Sequence, residues 1–314
     1  MPLTLDQYAA HLDTRGLPWP APPKPVAPRV KPHVPRLDGI KGVLWTVYGT
    51  LLSISEGDLK FEIDGPIFGV ALDKTIHEFK MWGSMSRKPG QPHEYMAEVY
   101  RKVLTEERLR PADDPNPELP SERVWESIVK KLFQKEYKFD ASFYGSLNDY
   151  SRKIAYFFHA SLQGTGCYDH AASTMVNLAG RGIHQGLLAD GQCFTATQLA
   201  RGLERQDPAA RLDELVPPAH RILSFDQKAR KPSDAVFEAG IAALGARGIE
   251  PSEILHVGSS LPRDIGPAKM WGMKTALFAG DRASLVASGD QMKDPKLRPD
   301  ALLTDLSQVA DLIG

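Results

Sequence analysis

Val43-Leu44-Trp45-Thr46-Val47-Tyr48-Gly49-Thr50-Leu51-Leu52 opens with five apolar or β-branched residues and breaks at a glycine. A half-exposed strand alternates apolar and polar residues, so an unbroken run of this kind reads as a strand covered on both faces. Five later runs have the same texture: Ile183 to Leu188, Arg221 to Ser224, Ile254 to Val257, Thr275 to Phe278 and Ala301 to Leu303. Helical patterns lie between them. Residues 170 to 181 end at Gly182, and residues 233 to 247 start after Pro232, end at Gly248 and carry Phe237, Ile241 and Leu244 on one face. Strands alternating with helices predict a doubly wound parallel sheet, an α/β Rossmann-like fold.

The interval between the first two runs breaks that rhythm. It shows no strand pattern and four helical ones: Phe68/Leu72/Ile76/Phe79, Tyr95/Val99/Val103, Trp125/Ile128/Leu132 and Phe143/Leu147/Tyr150/Ile154/Phe157. An inserted all-helical domain follows from it, with loops at Arg87 to Pro92 and Pro111 to Pro120. At the amino end, residues 3 to 13 make one short helix. Prolines at 18, 20, 22, 23, 25, 28, 32 and 35 then remove amide donors and hold the chain extended. Leu17, Trp19 and Val26 favour a strap lying on the body over a free arm.

Composition narrows the function classes. The chain has 314 residues, of which 42% are hydrophobic and 25% charged, as in ordinary globular proteins. Thirty-eight basic against 39 acidic residues leave a net charge of −1, so no long-range positive field draws nucleic acid or an anionic membrane. A local basic pocket for an anion remains open. Cys167 and Cys193 are too few for a disulfide framework, and the sequence leaves a single bridge between them open. No apolar run of membrane-spanning length occurs, and Asp6, His11 and Asp13 interrupt the first residues, so a cytoplasmic protein without leader or span is expected.

In an open α/β sheet, ligands bind beyond the carboxyl ends of the strands. Four such ends stand out: Thr46-Val47-Tyr48-Gly49-Thr50-Leu51, Ala189-Asp190-Gly191, Lys231-Pro232, and Gly258-Ser259-Ser260-Leu261-Pro262-Arg263-Asp264. With Arg181-Gly182-Ile183 and Gly272-Met273-Lys274-Thr275, their order and spacing resemble the haloacid dehalogenase-like (HAD) superfamily. The likeness is to members with a helical cap after the first strand and a DxYGT first motif, and it spans residues 38 to 314. Beside the proline-rich arm over residues 1–37, it implies an α/β core over 38–54 and 166–314 and a cap over 55–165.

The resemblance also implies a mechanism, which this chain departs from. The family's nucleophile is an aspartate at the first motif position, and that position is Thr46, whose hydroxyl would need a neighbouring base. The second motif's hydroxyl is replaced by Ala189-Asp190-Gly191. The third motif's lysine is kept as Lys231, with Lys228 and Arg230 nearby. The fourth motif has Ser259 in place of its first carboxylate and retains Asp264. With carboxylates missing at Thr46 and Ser259, no magnesium is expected and no other cofactor is called for.

The sequence therefore predicts a pseudoenzyme that binds a small anionic molecule or a protein partner at the core–cap cleft. The candidate ligand contacts are Thr46, Tyr48, Gly49, Thr50, Asp190, Gly191, Lys231 and Asp264, with the Gly49 and Thr50 amides forming an anion nest. A Lys231–Asp264 ion pair is the structural alternative. The enzymatic alternative is a phosphatase or haloacid dehalogenase using an unorthodox nucleophile or a water activated by Asp190 or Asp264. Cys193 reads as a core residue, although a helix start there would favour a thiolate. His159, His170, His184 and His256 have no metal-ligand spacing, and Arg87 is a candidate for reaching an anion from the cap.

Overall fold

The structure is a computed structural model that describes residues 1–85 and 90–314, so Arg87 lies outside the described residues. Its strands are β1 (Gly42–Trp45), β2 (Leu52–Ile54), β3 (Thr165–Cys167), β4 (His184–Ala189), β5 (Arg221–Leu223), β6 (Ile254–Gly258), β7 (Lys274–Phe278) and β8 (Ala301–Leu303). Six form one parallel sheet in the order β5-β4-β1-β6-β7-β8. All six runs read from the sequence are its strands. Strand β1 lies at the centre, with Trp45 in register with Leu187 on one side and Val257 on the other. The two-residue period sends Val43 and Trp45 into one apolar layer and Leu44 into the other.

Helices cover both faces. They are α1 (Leu5–Asp13), α2 (Pro66–Glu78), α3 (Pro92–Arg108), α4 (Ser121–Phe133), α5 (Ala141–Tyr144), α6 (Leu147–Leu162), α7 (Ala171–Gly180), α8 (Thr195–Gln206), α9 (Leu212–Leu215), α10 (Ser224–Gln227), α11 (Asp234–Gly245), α12 (Gly266–Met270) and α13 (Gln308–Leu312). From α11, Val236, Phe237 and Leu244 pack with Leu44 and Leu188, while Met175 and Leu178 of α7 and Leu199 and Leu203 of α8 pack with Val43 and Trp45.

Helices α2 to α6 lie between β2 and β3 and share their own aromatic core. The Phe158 ring lies 5.1 Å from both Tyr100 and Trp125. The fourth helical pattern of this insert is two helices. Gly145, at φ +90, ends α5, and Ser146 starts α6 through a capping box with Asp149. The strand-free interval also contains β2 and β3, an antiparallel pair with Leu52 opposite Cys167. Three residues are too few for a periodic signal, so the sequence left them unread.

The amino-terminal arm lies against the body. Thr4 caps α1, whose Tyr8 and Leu12 join the aromatic core of the insert. Trp19 meets Phe157 edge to face at 5.2 Å. The chain then crosses onto the sheet: the Val26 amide donates to Asp281 at 3.0 Å, His33 bridges to Leu302, and the Leu37 amide donates to the Leu312 carbonyl at 2.7 Å. Each of these donors is a non-proline residue, so the prolines between them forfeit none of these bonds.

Candidate functional site

Thr46 follows β1 directly, and three other strand ends converge on it. The Lys231 ammonium donates to the Thr46 hydroxyl at 2.8 Å, to the Leu188 carbonyl at 3.1 Å and to Asp264 Oδ1. These three acceptors use all three of its N–H groups. Thr46 Oγ1 in turn donates to Asp264 Oδ1 at 3.1 Å, and the Ser260 amide donates to Asp264 Oδ2 at 2.9 Å. Thr46, Lys231 and Asp264 are buried, with 8%, 4% and 2% of their surfaces exposed. Burial, the largest influence, acts to raise the Asp264 carboxyl, but the Lys231 ammonium and His256 together outweigh it and hold the group well below the usual carboxylate range. His256 lies behind, with Nε2 at 3.8 Å from Asp264 and Nδ1 at 3.1 Å from the Leu44 carbonyl. Burial lowers its pKa and favours the neutral ring.

The remaining predicted contacts are dispersed. Asp190 Oδ1 accepts the Lys231 backbone amide at 2.8 Å, and the Gly191 amide donates to Ser224 Oγ at 2.9 Å. The Gly49 amide donates to the Leu52 carbonyl at 2.8 Å and the Thr50 amide to the Val47 carbonyl at 3.2 Å, so the expected anion nest has both donors spent on the turn itself. Gly49 sits at φ +79, and a β-carbon there would lie 2.8 Å from Ser259 Oγ; only glycine fits that approach without displacing a neighbour. Tyr48 turns towards α8, donating to Gln198 at 2.6 Å and lying 3.0 Å from Thr195 Oγ1. Cys167 and Cys193 are free, and burial pushes the Cys193 thiol well above its ordinary value. His159 is held neutral by burial, its pKa lowered to about 3, and lies 2.8 Å from Ser121 Oγ.

A second layer of charge surrounds this centre. Arg230 and Arg263 each stand 3.7 Å from Asp190, and Arg263 donates to Asp58 at 3.1 Å. Glu118, from the proline-rich loop before α4, reaches 3.7 Å from Arg230 and accepts hydrogen bonds from Ser224 Oγ and the Leu119 amide. The loop is fastened by backbone bonds, Glu118 N to the Lys228 carbonyl at 3.1 Å and Arg230 N to the Asn116 carbonyl at 2.7 Å. Gln192 ties the start of α4 down as well, accepting from Ser121 N at 2.7 Å. Glu118 and Asp58 escaped the sequence reading because neither sits in a periodic segment or a motif. The only local signal was a lone acid among prolines at 115, 117 and 120.

Among the described residues no helix is long and apolar enough to cross a membrane. Neither a protein-family model nor a curated protein matches the chain. Solved structures do. A 2-haloacid dehalogenase from Pseudomonas syringae pv. Tomato is 19% identical over 87% of this chain and 97% of its own, with a TM-score of 0.54. A HAD phosphatase from Thermococcus onnurineus is 20% identical over 88% and 98%, with a TM-score of 0.47. With its parallel sheet, its helical insert between β2 and β3 and its likeness to the dehalogenase, the chain has the fold of the haloacid dehalogenase-like superfamily.

Proposed function

We propose that the chain is a HAD-fold pseudoenzyme, in which residues 55–165 act as a cap and the core–cap cleft binds a small anionic molecule or a protein partner in the cytoplasm. The observation that carries this reading is the state of Thr46. Its hydroxyl accepts from Lys231 and donates to Asp264, so it is held within a buried ion pair. A nucleophilic hydroxyl needs a base whose pKa lies near the working pH, and Asp264 is held far below it. The donor set does not fit magnesium either. Asp264 has both oxygens hydrogen-bonded, and an ammonium occupies the space beside them.

The direct test is hydrolysis of a panel of phosphoesters and 2-haloacids by the purified protein, with magnesium and with chelator. No turnover is expected under either condition. Turnover that disappears in Asp190→Asn or Asp264→Asn would instead establish the second reading, a hydrolase working through an activated water.

A further inference from the structure

Arg230 has donors to spare. Its side chain is 38% exposed, and its guanidinium makes no hydrogen bond among the described residues. Glu118, Asp190 and Asp58 approach it at 3.7, 3.7 and 3.9 Å, outside the 2.7 to 2.9 Å typical of a charge-assisted bond. Arg263, 34% exposed, spends one donor on Asp58. Lys231 and Asp264 cancel one another beneath.

The carboxylates come from two parts of the chain. Asp190 belongs to the same sheet ends as the arginines, whereas Asp58 and Glu118 lie in the stretch between β2 and β3 that carries the helical insert. Without those two, the two arginines and Asp190 leave a net positive charge. With both in place and ionised, the balance reverses to negative. The sheet ends therefore suit an oxyanion only when the inserted segment withdraws its own. The segment is held there by the two backbone bonds that make up the Pro117–Ala229 bridge. Each such bond has a modest net contribution, because water replaces it on opening.

We propose that Arg230 and Arg263 form an oxyanion subsite for a phosphate-sized group, and that Glu118 and Asp58 occupy it as tethered internal anions. Ligand and closed loop compete for the same two guanidinium groups. This deepens the cleft-binding reading above and rests on it.

The test uses inorganic phosphate as the probe, by titration calorimetry at low ionic strength and about pH 8, where Glu118 is ionised. The Asp58→Asn/Glu118→Gln protein is expected to bind phosphate about tenfold more tightly than the unaltered chain, within the usual range of coupling between two sites. Adding Arg230→Gln removes the gain. In the unaltered protein, phosphate is expected to speed hydrogen exchange at the Glu118 and Arg230 amides, a readout that needs no variant to fold. Equal phosphate affinity of the two folded proteins overturns the proposal, as does unchanged exchange at those amides under saturating phosphate. Neither result bears on the turnover assay, so failure of the subsite is distinguishable from failure of the pseudoenzyme reading.

Discussion

Lys231 carries the clearest consequence of the geometry. As a surface lysine it would offer its charge to a ligand, but here three protein oxygens take its three donors and its side chain is nearly inaccessible. It is paired with Asp264, a carboxylate that shares its burial. Removing one partner of a buried ion pair leaves the other charged and unsolvated, which costs about 3 to 5 kcal/mol. Lys231→Met is therefore expected to destabilise the protein by that amount in urea unfolding. A loss below about 1 kcal/mol would mean that the pair is solvated or easily replaced. Lys231 and Asp264 were both legible in the sequence as motif positions, and so was their possible pairing. What remained hidden was the Leu188 carbonyl as the third acceptor, because a carbonyl's direction depends on how β4 ends.

The loop before α4 shows why an element can be read while its task cannot. Its prolines exclude helix and strand, and the sequence accordingly marks residues 111 to 120 as a loop. Its docking beside Lys228 to Arg230 depends on groups more than a hundred residues away in the chain. Burial lifts the Glu118 carboxyl from its ordinary value of 4.5 to about 7, with Arg230 and Ser224 acting in the opposite direction. A carboxyl whose pKa is raised by folding contributes stability that is fully present below its unfolded pKa and is lost as pH rises through the folded one. The stability contributed by Glu118 should therefore fall between pH 4.5 and about 7. Glu118→Gln is expected to remove that decline, measured as the difference between the two proteins' unfolding free energies across this window. A pH-independent difference would place Glu118 in a solvated setting. The same limit applies to β2 and β3, which three residues apiece could not announce, and to α5 and α6, where one apolar stripe concealed the break at Gly145.

At the scale of the molecule, the arm links the two apolar cores. Tyr8 and Leu12 complete the aromatic core of the insert, while Val26, His33 and Leu37 bond to the sheet side. Between them the Ala21 carbonyl presses on Gly164, where a β-carbon would lie 2.3 Å away, so the crossing from insert back to sheet is gripped closely. Deleting residues 1–24 removes the insert's share of these contacts and leaves those at Val26, His33 and Leu37. Separate cores tend to unfold separately once their coupling is lost. Calorimetry is expected to resolve two transitions in the deleted protein, the helical insert melting first. One unshifted transition would show that the arm couples nothing.

The sequence alone determined the α/β class, the six strands, the helical insertion and the absence of aspartate at position 46. Each of these is written in a local pattern: apolar runs, helical spacing, or the identity of one residue. Tertiary structure alone decided that Lys231 is saturated, that the Gly49 and Thr50 amides are spent, and that Glu118 and Asp58 confront Arg230 and Arg263. Those facts depend on which strand ends lie side by side and how the loops between them close. A pairing between charges distant in the chain leaves no periodic trace, because electrostatic energy depends on separation in space rather than along the sequence.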